Sequence, residues 1–180
     1  GKDFSEDEYS TEGIGSSLGE SFFRQMLIAI MLAFIFMGIV VFIYFRSLVP
    51  SLAVILASFS DMMITLAIVN LLGVEISSAG IAAFLMLIGY SVDTNVLLST
   101  RVLKRTFKTV FYRVASALNT GITMSITTLA AVSATLLLTQ SDVIRQIMLI
   151  IFIGLIVDLM NTWIQNVAIL RIYCNKKGIK

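Results

Sequence analysis

Of the 180 residues, 58% are hydrophobic and only 13% charged, at a mean hydropathy of +0.96, whereas soluble domains carry about 25% charged residues; water is therefore not the main solvent of this chain. Cys174 is the single cysteine and histidine is absent, which excludes an intrachain disulfide and leaves zinc and redox chemistry without its usual ligands. A formal charge of +2 is too small to point to a nucleic-acid partner, and its placement says more than its size.

Residues 1–21 (GKDFSEDEYSTEGIGSSLGES) are acidic and rich in Gly and Ser, and lack the basic start and cleavage site of a signal peptide. They read as an extramembrane lead-in. Five apolar stretches follow, at about 22–45, 49–72, 79–100, 114–139 and 143–173. Each is long enough, at about 1.5 Å per residue, to cross a hydrocarbon core about 30 Å thick. The turns between them carry the expected helix stops: Pro50, the GVEISS stretch around Glu75, and TQSD around Asp142. The fold class is an all-α membrane protein, a five-helix transmembrane bundle over residues 22–174 with a short tail at 175–180.

Lys and Arg in short loops set orientation, because the cytoplasmic side retains them. Arg46 follows the first span; Arg101, Lys104, Arg105, Lys108 and Arg113 lie between the third and fourth; Arg171, Lys176, Lys177 and Lys180 follow the fifth. All three places fall on one side. Opposite them lie Glu75, Asp142, Arg145 and the acidic lead-in, so residue 1 is read as extracytoplasmic and residue 180 as cytoplasmic, in the cell membrane. An outside start without a signal sequence needs an earlier segment to carry it across, which predicts an N-terminally shortened chain. Arg101, Lys104, Arg105 and Lys108 recur at i, i+3, i+4 and i+7 and form a basic helix face. Two readings stand for it: positive-inside anchoring, or docking of an acidic partner or anionic membrane lipid.

Chemistry has to be sought in polar residues inside the spans, since an ionisable group there costs at least about 2.5 kcal/mol. Three aspartates qualify. Asp61, Asp93 and Asp158 lie roughly 16, 12 and 20 Å from the cytoplasmic ends of their helices, a common middle layer. Asp158, Asn161, Thr162 and Gln165 form a polar stripe on the last span, and Ser116, Asn119, Thr120, Thr123 and Thr127 form another on the fourth; the two are expected to face each other. Ser58, Asp61 and Thr65 on the second span, and Ser91, Asp93 and Asn95 on the third, extend the pattern into a polar seam. Asn70 and Asn166, near helix ends, read as structural. A carboxyl in such a seam can load and release a proton, or else stay a neutral packing group at a helix contact. Asp61, Asn119 and Asp158 are expected to line one water-accessible crevice near Asp93.

The stretch GYSVDTNVLLSTRVLKR, residues 89–105, closely resembles the fourth-helix signature of the SecF family and of its relative SecD, both in the resistance-nodulation-division superfamily. EGIGSSLGESFF resembles the end of that family's external domain, FRSLVPSLAVILASFSDMMIT its third helix and SALNTGITMSITTLAAV its fifth. By that resemblance the five spans are helices two to six of a six-helix fold. It implies an archaeal-type accessory subunit of protein export, not an enzyme, acting with SecD beside the SecYE translocon on a translocating polypeptide. The energy source would be the proton gradient, with no cofactor, no metal and no nucleic acid. Asp93 would be the proton carrier, with Asp61 and Asp158 as further candidates. One departure accompanies the resemblance: bacterial members carry an arginine on the fifth helix, where this chain has Asn119 and Thr120, so SecD is the remaining source of a counter-charge. The alternative is a scaffold of the SecD–SecF complex whose aspartates stay protonated. An intramembrane aspartyl protease would need YD and GxGD contexts, where this chain has YSVD and IVDL.

Overall fold

The computed structural model describes residues 6–74, 76–104 and 109–178, with side chains from residue 24 onward. The helices are α1 (Glu6–Phe45), α2 (Leu48–Leu71), α3 (Ser78–Lys104), α4 (Val110–Leu138), α5 (Asp142–Asn161) and α6 (Val167–Lys176); the π-helical turn Thr162–Asn166 joins the last two into one continuous span. Among the described residues there is no strand. Among those residues five helices are long and apolar enough to cross a membrane, the fifth running Asp142–Lys176. The molecule is a multi-pass, all-α membrane protein. The chain divides into two compact units, Gly1–Phe36 and Met37–Lys180. The first contributes a single helix that begins at Glu6, so the helix reaches back into the stretch read as a lead-in.

In the second unit the helix ends follow local chemistry. Arg46 takes a left-handed φ of 49° between α1 and α2, and Pro50 sits in the first turn of α2, where no intrahelical N–H is needed. At the far end Gly73 adopts φ 67°. Its N–H donates to the Asn70 carbonyl at 3.0 Å while that of Val74 donates to Val69 at 3.2 Å. This paired arrangement stops a helix on a glycine.

Small residues let the helices approach. Ser51, Ala53, Ala57 and Ser58 line the buried face of α2, and Ala117, Gly121 and Ser125 that of α4. A Cβ on Gly154 of α5 would run into the buried Leu87 side chain, and one on Gly121 into Trp163. On the last span the buried positions Ile150, Gly154, Asp158, Thr162, Asn166, Leu170 and Cys174 recur every four residues. Such a stripe drifts by about 40° per step around an ordinary α-helix. The π turn at 162–166, where the Val167 N–H reaches back five residues to Thr162, counters the drift and keeps Asn166 aligned with Asp158 and Thr162.

Gly154→Val is expected to lower the unfolding free energy of the detergent-solubilised full-length protein by about 1–3 kcal/mol, as overpacking does. Gly89→Ala, with nothing within 4 Å of the added methyl, should not lower it and is expected to raise it by up to about 1 kcal/mol, alanine being the better helix former. Thermal unfolding of both variants beside the parent checks the pair.

Candidate functional site

Where α2, α3 and α5 meet, two aspartates are removed from solvent: Asp61 is 0% and Asp158 1% exposed. Asp61 Oδ2 accepts the Ser91 hydroxyl at 2.5 Å, and Oδ1 accepts Nδ2 of Asn161 at 2.8 Å. The Ser91 hydroxyl also stands 3.0 Å from that of Ser58. Across the seam the Thr94 hydroxyl lies 3.1 and 3.0 Å from the two oxygens of Asp158, and that of Thr162 lies 3.1 Å from Oδ1. The carboxyls of Asp61 and Asp158 are near enough to act on one another electrostatically.

Chemically, the cluster is a place to keep one proton. Its donors are hydroxyls and amides, and among the described residues no arginine or lysine acts on either carboxyl. Two bare negative charges at this depth would be prohibitively expensive, so any charge on the pair is adjusted by protonation. Asn95 carries the network further along α3. Its Nδ2 donates to the Ser91 carbonyl at 2.8 Å, and its Oδ1 accepts Nδ2 of Asn166 at 2.5 Å and faces the Thr162 hydroxyl at 3.3 Å.

The expectation of one seam holding all three aspartates needs correction. Asp93 shares the depth of the pair but is exposed on the other side of α3. It is two residues from both Ser91 and Asn95, which is about 200° around a helix. The polar stripe of α4 also turns outward instead of meeting that of α5. Asn119, Thr123 and Thr127 are exposed, and Thr120 is half-buried. The inward face of α4 is the small-residue line Ala117, Gly121, Ser125. Threonines can take the outer face because each satisfies its own hydroxyl: Thr123 donates to the Asn119 carbonyl at 2.8 Å and Thr127 to that of Thr123 at 3.0 Å. The crevice expected to join Asn119 with Asp61 and Asp158 is therefore absent among the described residues. Gln165 is half-buried and outside the cluster.

Of the basic face, Arg101 donates to the Ser116 carbonyl at 2.7 Å and hydroxyl at 3.1 Å, and Lys104 lies 3.6 Å from the Tyr44 ring centroid. Arg105 and Lys108 lie outside the described residues. Thr94, Ser99 and Asn166 are the members that pattern reading passed over. Asn166 is wholly buried and central, not a helix-end residue. The four-residue recurrence Ser91, Asn95, Ser99 beside Asp158, Thr162, Asn166 was the signal that could have found them.

With this geometry in place, the comparisons decide the family. The profile described as "Protein export membrane protein SecD/SecF, C-terminal" matches residues 2–176. The chain belongs to the SecD/SecF family. It is similar to the protein-export membrane protein SecF of Pyrococcus furiosus, at 48% identity over 174 residues, covering 97% of this chain and 59% of that protein. Its similarity to SecF of Methanocaldococcus jannaschii is 45% over 177 residues, 96% of this chain and 63% of the relative; to that of Thermococcus gammatolerans it is 49% over 150 residues, 83% and 48%. The chain thus spans about three-fifths of the first two relatives.

Within this SecD/SecF family member, Asn95→Leu is expected to destabilise the bundle by about 1–3 kcal/mol, because it strands the buried Asn166 amide. Asn119→Leu, on the outer face of α4, should change stability by less than about 0.5 kcal/mol. Denaturant unfolding of the two variants in one detergent separates the cases.

Proposed function

We propose that this chain works as a SecF-type subunit of protein export in the cell membrane, paired with SecD beside the SecYE translocon and coupled to the proton gradient. Its role is to assist a translocating polypeptide, not to catalyse a reaction. The family match supports the export role, and the basic helix ends are read as the cytoplasmic side.

The observation that carries the pairing with SecD is the exposure of Asp93 and Asn119 at mid-span. The contacts Tyr90–Ser125 and Arg101–Ser116 bracket both residues on neighbouring helices. A carboxylate facing hydrocarbon at that depth is costly, so a partner helix covers it. Between Arg113 and Arg145 the chain has no basic residue; a counter-charge for Asp93 then comes from SecD. In this reading Asp93 exchanges a proton at the partner face while the Asp61–Asp158 pair holds one inside. Moving one proton's charge through the membrane potential is worth up to about 2.3 kcal/mol per 100 mV, enough to bias a two-state bundle.

The complete hydrogen bonding of Asp61 and Asp158 favours a second reading, a scaffold of the SecD complex whose interior carboxyls stay neutral. Asp93→Asn distinguishes the two. Under the coupled reading it abolishes the proton-gradient-dependent stimulation of export from membrane vesicles while SecD still copurifies. Export that stays at the parent level with Asp93→Asn leaves the scaffold alone standing.

A further inference from the structure

The orientation of one buried amide has a consequence past the carboxyl pair. Nδ2 of Asn95 donates to the Ser91 carbonyl at 2.8 Å, a group that can only accept, so Oδ1 of Asn95 is the atom turned toward the last span. Asn166 must then present its own Nδ2, which it does at 2.5 Å. Its Oδ1 is left buried with no donor among the described residues. One turn beyond Asn95 on α3, the Ser99 hydroxyl is also fully buried and has no partner among the described residues.

These two atoms are complementary: one is an acceptor in want of a donor, the other a hydroxyl in want of an acceptor. They also lie at one level. Thr162 and Asn166 both reach Asn95, and α3 and the last span run in the same direction, so one turn past Thr162 meets one turn past Asn95. Thr123, Thr127 and Thr135 satisfy their hydroxyls by donating to the carbonyl four residues back; Ser99, like Thr65 on α2, does not. Leaving both atoms unpaired in a membrane interior would cost several kcal/mol.

We infer that Ser99 and Asn166 hold an internal water molecule, which accepts from Ser99 Oγ and donates to Asn166 Oδ1, and that this site is the hydration point serving the Asp61–Asp158 pair from the basic end of the bundle. Asn95 and Asn166 position the water and carry no proton themselves. Thr162, whose hydroxyl is within hydrogen-bond reach of both Asn95 and Asp158, lies between this site and the carboxyl. Beyond the site, Leu98, Val102, Ala117, Leu170 and Cys174 close the bundle with an apolar cluster. Exchange with bulk solvent waits on the opening of that cluster. The direction of proton traffic rests on the coupled reading above; the water site itself does not.

The test is carboxyl hydrogen–deuterium exchange, followed by infrared absorption on membranes containing the full-length protein after transfer to D2O. The band of the pair is assigned by its loss in Asp158→Asn. Ser99→Ala and Asn166→Leu are each expected to slow its exchange by about tenfold, the equivalent of one lost hydrogen bond on the route. Thr135→Ala, on the outer face of α4, leaves it unchanged. Ser99→Ala fits the existing space and keeps the test decisive where Asn166→Leu does not fold. Parent-like exchange in Ser99→Ala and in whichever Asn166 variant folds overturns the water site. Slowed exchange together with export that ignores Asp158→Asn keeps the site and removes its part in proton coupling.

Discussion

Everything in the packed unit depends on one constraint: a polar group inside hydrocarbon has no water to turn to and must be satisfied by the protein itself. Asp61 and Asp158 impose that demand at its most severe, two carboxyls side by side at 0% and 1% exposure. The response recruits three helices at once. α2 supplies Ser58, α3 supplies Ser91 and Thr94, and the last span supplies Asn161 and Thr162. Hydroxyls and amides are short donors, so the backbones must come close. The small residues Ala57, Ser58 and Gly154 make that approach possible.

The same constraint explains the layered interior. On one side of the carboxyl pair lie Leu87, Ile150 and Leu155, and on the other Leu98, Val102 and Leu170, all at most 2% exposed. The polar middle is therefore closed off from both ends of the bundle. A polar group between two apolar layers meets bulk solvent only when one layer parts. The π turn sits at the edge of the polar layer, and local rewinding there moves Thr162 and Asn166 together.

The acidic groups divide by what satisfies them. The interior pair is complete within this chain. Asp93 is not, and it turns toward whatever neighbours the bundle in the membrane. The two locations are mechanically joined, because Thr94, which holds Asp158, is the next residue after Asp93. Any rotation of α3 that repositions Asp93 against a partner changes the donors available to Asp158. A change on the exposed face of α3 and a change in the buried hydrogen bonds are thus one motion of a single helix.

Read alone, the sequence determined the solvent, the number of membrane-crossing helices and the depth of each aspartate, since apolar length and residue count along a helix are local quantities. Polar patterning placed Asp61, Asp158 and Asn161 in one broad seam with Asp93 and Asn119, of which the structure brings the first three together. Facing was another matter. In water an apolar stripe points inward, but lipid accepts apolar side chains as readily as a protein core does, so hydrophobic pattern does not separate inside from outside. Threonines add to the ambiguity, for Thr123 and Thr127 satisfy their hydroxyls on their own helix and tolerate the outer face. Only the packing of α3 against α2 and the last span, with the rewinding at 162–166, decided that Asp93 turns outward and that Asn166 turns in.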